Sequence, residues 1–155
     1  MTANKETIEK NCCFYASDFH LEMTIVPYIN RKIEENKNVI IVTENKLEET
    51  MKILISRMNI KNKNAICALD WNNNDIAQAI GKSNLVLIIN GSKKFIENKN
   101  KDIKELLGEE PIELIDCYCF DEVKEEMVEI RANHTGVLNN LQKYYWKIGI
   151  NGILL

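Results

Sequence analysis

Leu85-Val86-Leu87-Ile88-Ile89 runs without a polar break into Asn90-Gly91-Ser92. The run is apolar on both parities, short, and rich in branched side chains, so it suits a strand covered on both of its faces. Val39-Ile40-Ile41-Val42 has the same character. Strands of this kind belong to parallel sheets, which need long helical crossovers between them. The segments on either side supply those crossovers, and the chain is predicted to be an α/β three-layer sandwich with a mainly parallel central sheet of about five or six strands.

Outward from these two runs, Leu47, Met51, Leu54, Ile55 and Met58 fall on one face of a helix, with Asn45 as its N-cap and Glu48 closing a capping box. A first strand is predicted at 12–16, then a helix over 18–35 that Pro27 should kink or restart near Thr24. Residues 65–69 read as a third strand, followed by a short helix ending in a left-handed cap at Gly81. A helix over 93–107 is diluted by a solvated stretch at 98–101 before Gly108 stops it, and 112–120 is the next strand. Asp121 is predicted to cap a helix carrying Val123, Met127 and Ile130, and a last helix over 135–148 shows Leu138, Leu141, Tyr145 and Ile148 on one face. Residues 1–10 are expected to be a flexible segment and 11–155 one domain, with the apolar tail at 151–155 a sixth strand or a partner contact.

The 155 residues are 45 % hydrophobic and 28 % charged with 6 glycines and 2 prolines, the balance of one globular domain. A chain of this length buries roughly 70 % of its unfolded surface, so it needs neither disulfides nor a structural metal. The net charge of -3, with signs interspersed, gives no nucleic-acid footprint. No run approaches the ~20 apolar residues of a bilayer span, and the first residues hold no signal core, so a cytoplasmic protein without a membrane partner is expected.

In such a sheet, ligands bind beyond the carboxyl ends of the strands, which selects Ser17, Asp18, His20, Thr43, Asp70 and Asn90 as candidate ligand contacts. Catalysis is not expected there. A phosphate cradle needs glycines whose bare backbone wraps the anion, followed by a lysine and a hydroxyl, whereas the first turn is Ala16-Ser17-Asp18-Phe19-His20. A metal-anchoring acid should close the apolar strand, and Asn90 stands there instead. A phosphoacceptor module would use Asp70 and Ser92, but it also requires an acidic pair after the first strand and a lysine after the last, both missing.

Five cysteines, Cys12, Cys13, Cys67, Cys117 and Cys119, show no metal-ligand spacing. If the first strand and the 112–120 strand are neighbours, three thiols meet, which makes Cys12, Cys13, Cys117 and Cys119 candidates for a redox role beside the plainer one of core packing. With only His20 and His134 no three-histidine zinc site can form, and no serine sits on a nucleophile elbow. No cofactor or metal is expected. Tyr144-Tyr145-Trp146 and Trp71 suit either core packing or a subunit contact, so a homodimer through the C-terminal helix, with no pocket, is the rival reading.

Asn11-Cys12-Cys13-Phe14-Tyr15, Val26-Pro27-Tyr28-Ile29 and the strand at 39–43, together with Cys117-Tyr118-Cys119-Phe120-Asp121 and Arg131-Ala132-Asn133-His134, resemble the MEDS domain, a sensory family named for methanogens, methylotrophs and a dichloromethane-responsive regulator. The chain departs from that family at Asn11, where histidine is usual, and at Glu34-Glu35-Asn36, where a glycine turn is usual. The resemblance implies a RecA-like or KaiC-like fold without the phosphate loop, and a non-catalytic sensory or signalling role beside a sensor kinase or a transcription regulator.

Overall fold

The computed structural model describes residues 8–108 and 110–138. Among the described residues five parallel strands form one sheet in the order β2-β3-β4-β1-β5, with β1 at Ile8–Tyr15, β2 at Asn38–Thr43, β3 at Leu85–Asn90, β4 at Ile112–Cys119 and β5 at Gly136–Val137. On one face lie α1 (Asp18–Glu34), α2 (Glu48–Ser56) and α3 (Lys63–Cys67), packed through Leu21, Ile25, Met51, Ile55 and Ile66 against Val39, Ile41, Val86, Ile88 and Ile115. The other face carries α4 (Lys93–Leu107), α5 (Phe120–Val123) and α6 (Met127–Ala132), with Ile96, Ile103, Val123 and Ile130 against Ile40, Val42, Leu87, Ile89 and Leu114. Both parities of the central strands are therefore buried, which is why their sequences do not alternate. Each such aliphatic side chain contributes about 1.5–3 kcal/mol on leaving water. The result is the expected three-layer, RecA-like sandwich.

Several local expectations are corrected. Residues 8–10, expected to be flexible, belong to β1, which pairs with β4 from Ile8 opposite Ile112 to Tyr15 opposite Cys119. Residues 65–69 are not a strand: Lys63–Cys67 is a short helix that inserts Ile66 into the core, as alanine-rich apolar runs of this length can do. The free edge of β2 is covered by a loop instead, where Asn73 donates from Nδ2 to the Ile41 carbonyl at 2.9 Å and accepts the Thr43 N–H at 2.7 Å. Helix α1 does not restart at Pro27 but runs on unbroken to Glu34, with Pro27 on its exposed side. Residues 98–101 continue α4 because Ile96, Ile103 and Leu107 hold one face of it.

Asn45 does not cap α2. Its cap comes from the loop before the 3-10 turn at Ala77–Ala79: Asn72 accepts the Glu48 N–H at 3.2 Å, and its own amide donates to Glu48 Oε1 at 3.1 Å. The helix expected after Asp121 is two short ones, α5 and α6, with Asp121 inside the first rather than capping it. At the start of the helix predicted over 135–148, Gly136–Val137 is strand β5 beside Asn11 and Cys12. The remainder of that prediction, with Tyr144, Tyr145, Trp146 and the 151–155 tail, lies outside the described residues, as do residues 1–7.

Candidate functional site

The carboxyl ends of the strands are occupied by the protein's own side chains. Thr43 and Asn90 stand in register, each 1 % exposed. Asn90 Oδ1 accepts from the Thr43 hydroxyl at 2.9 Å and from the Asn45 amide at 3.2 Å, while its Nδ2 donates to the Tyr15 hydroxyl at 2.7 Å, across the end of β4. The Asn45 N–H closes the ring on Thr43 Oγ1 at 3.0 Å. Burial pushes the Tyr15 hydroxyl well above its ordinary range, so the cluster is neutral throughout. Gly91 is a packing glycine: a Cβ there would lie 2.6 Å from the Phe95 ring and 2.9 Å from Glu44.

The first turn is similarly self-satisfied. The Ala16 N–H donates to His20 Nδ1 at 2.9 Å, the His20 N–H to Ser17 Oγ at 3.2 Å, and the Leu21 N–H to the Ser17 carbonyl at 2.9 Å. Burial lowers the His20 pKa, which keeps that ring an acceptor. The N–H groups of Ala16, His20 and Leu21 are thus already engaged within the turn. Of the six predicted contacts, the structure brings Thr43 to Asn90 and Ser17 to His20. Asp70 stands apart in the loop after α3, where its carboxylate accepts from the Asn72 N–H at 3.1 Å and from Gln78 Nε2 at 3.3 Å. Asp18 lines a groove of about 420 Å³ between α1 and α2, with Phe19, Glu22, Thr50, Ile53 and Arg57. Burial raises the Glu22 carboxyl above its ordinary value, against the pull of its hydrogen bond with Thr50.

A second cavity, of about 390 Å³, opens on the other face of the sheet, with Lys10, Asn100, Lys104, Asn133, His134 and Thr135 among its walls. Beneath it lies Asp116, 0 % exposed in the middle of β4. Asp116 Oδ1 accepts from Asn100 Nδ2 at 3.0 Å; Oδ2 is 2.8 Å from His134 Nε2 and 4.0 Å from Lys10 Nζ. The Tyr118 ring meets His134 edge to face at 6.2 Å. Lys10, Lys104 and Asp116 were not singled out by sequence. The signal was nonetheless present, since an acid in the middle of a strand flanked by Leu114, Ile115 and Cys117 requires a partner, and the chain has only 2 histidines to offer.

The strand neighbours do gather thiols: Cys13, Cys117 and Cys119 pack in the α1-side core, Cys13 opposite Cys117, and Cys12 faces the other way with Sγ 3.7 Å from the Gly136 carbonyl. The hydrogen bond with Cys13, together with burial, pushes the Cys117 thiol up, and burial with nearby Asp116 pushes Cys12 up to about 11. Thiols so placed are poor nucleophiles, which favours packing over redox chemistry. Among the described residues no group of His, Cys, Asp and Glu is arranged to hold a metal ion, and no helix is long and apolar enough to cross a membrane. No family model, no curated protein and no solved structure matches this chain.

Proposed function

We infer that this chain is a non-catalytic sensory or signalling domain that binds a small ligand and relays its presence to a protein partner. The observation that carries this reading is the Asn90 cluster: where a nucleotide-hydrolysing sheet would present an acid to a metal ion, a neutral amide is held by Thr43, Asn45 and Tyr15 with no exposed face. The engaged N–H groups of the first turn support the same reading, and the cavity beside His134 offers a preformed place for a ligand of small size. The MEDS resemblance supplies the signalling half, with a sensor kinase or transcription regulator as the partner.

The test is turnover and stabilisation together. Phosphate release from ATP and magnesium should stay at the buffer rate, and neither ATP nor ADP should raise the melting temperature. Magnesium-dependent turnover that is lost in Asp18→Ala overturns the reading.

A further inference from the structure

The Asp116–His134 pair fixes the charge of the cavity above it. His134 Nδ1 lies 2.6 Å from the Ile130 carbonyl, an acceptor only, so that nitrogen carries a proton. At 2.8 Å, Nε2 and Asp116 Oδ2 then share a second one. Wherever that proton rests, on the ring or on the carboxyl, the pair as a whole is neutral. Lys10 and Lys104 therefore remain as net positive charge in the walls. Lys10 Nζ, at 4.0 Å from Oδ2, is too far for a hydrogen bond to it, and Lys104 has no ion pair among the described residues.

No carboxylate is found among the described lining residues, while the Thr135 hydroxyl adds a neutral donor. Partly enclosed, with two ammonium groups and a hydroxyl donor, such a site favours a compact anion over a neutral molecule of equal size. Its volume of about 390 Å³ lies at the small end of ligand pockets.

We propose that this cavity is a binding site for a small carboxylate or phosphate anion, held by Lys10 and Lys104 against the neutral Asp116–His134 base. The proposal rests on the reading of the chain as a ligand-binding domain and names the chemistry of the ligand. It differs from a strand-end nucleotide site in position: the cavity lies between β1, β4, α4 and the turn leading into β5, away from the turns at Ser17 and Asn90.

The experiment is an NMR titration of the whole chain with sodium phosphate, sodium acetate and glycerol in separate arms, ionic strength being held constant with sodium chloride. At least one anion should shift the resonances of residues 10, 100, 104 and 133–135 saturably, phosphate alone indicating a phosphoryl ligand and acetate a carboxylate. Lys104→Gln and Lys10→Gln should each weaken that binding roughly tenfold, the value of one charge-assisted contact. Lys104 is exposed, so its variant retains the fold and decides the matter even if Lys10→Gln does not fold. Shifts no larger than those with sodium chloride, or anion binding untouched by Lys104→Gln, overturn the proposal. Glycerol shifting these resonances while neither anion does so overturns the anion chemistry alone and leaves the ligand-binding reading in place.

Discussion

Asn90→Ala is the substitution that most directly loosens the strand ends. The side chain is 1 % exposed, and truncation removes the bonds at 2.9, 3.2 and 2.7 Å to Thr43, Asn45 and Tyr15. Each intramolecular hydrogen bond of this kind is worth about 1 kcal/mol net, so the loss should be about 3 kcal/mol, before any penalty for the buried Tyr15 hydroxyl left without its partner. Against a typical total stability of about 5–15 kcal/mol, that is a large fraction. Urea unfolding followed by circular dichroism should show a lower midpoint with an unchanged slope. Tyr15→Phe removes one of the three bonds and should cost about 1 kcal/mol, and because both variants break the same contact, the double variant should fall short of the sum by about 1 kcal/mol. A cost below about 0.5 kcal/mol for Asn90→Ala, or strict additivity with Tyr15→Phe, refutes a locked strand end.

Other expectations are separately measurable. Asn72→Ala removes the cap supplied to α2 and should cost about 1 kcal/mol in urea unfolding, a loss independent of Asn90→Ala, whereas Asn45→Ala should be coupled to it. Trp71→Phe deletes the buried 2.9 Å bond from the indole N–H to the Ile66 carbonyl along with part of the ring, and should lower stability by about 1–3 kcal/mol in the same assay. Burial raises the folded-state pKa of Glu22 above its ordinary 4.5, so the folded protein holds that proton more tightly than the unfolded chain and gains stability as pH falls from neutral through the raised value; Glu22→Gln should flatten that gain in unfolding midpoints measured across the range. Glu113 runs the other way. Burial would raise it, but Lys32 at 2.7 Å, with Tyr28 and Lys37, holds it below 4.5, so its contribution is complete above that value and disappears as pH falls through the depressed one, and the destabilisation caused by Lys32→Met should shrink over the same interval.

The centre of the sheet was legible because β2, β3 and β4 are buried on both faces, and double burial leaves nothing for a polar residue to do except at the ends. Asp116 is the exception inside β4, and the partners that make it tolerable come from α4 and from the turn after α6. Such pairings cannot be deduced from local periodicity. The first half of β1 was hidden for a related reason: Glu9 is exposed and Lys10 reaches the cavity, so the strand carries its apolar signal only from Cys12 onward. At α2 the expected cap failed because the Asn45 side chain, expected to accept a backbone N–H, donates instead to Asn90 and leaves the helix start to Asn72. At the strand ends Thr43 meets Asn90 and Ser17 meets His20, while Asp70 follows a helix and stands apart from both. The Thr43–Asn90 pairing, and the cavity on the opposite face, depend on contacts between residues distant in sequence.

An anion should sit in the cavity beside His134 and not at the strand ends. Crystals grown with a non-hydrolysable ATP analogue, magnesium and sodium phosphate should show phosphate between Lys10 and Lys104 and nothing bound at residues 16–20 or beside Asn90. A triphosphate seated on the backbone of residues 16–20, with magnesium near Asn90, would contradict it.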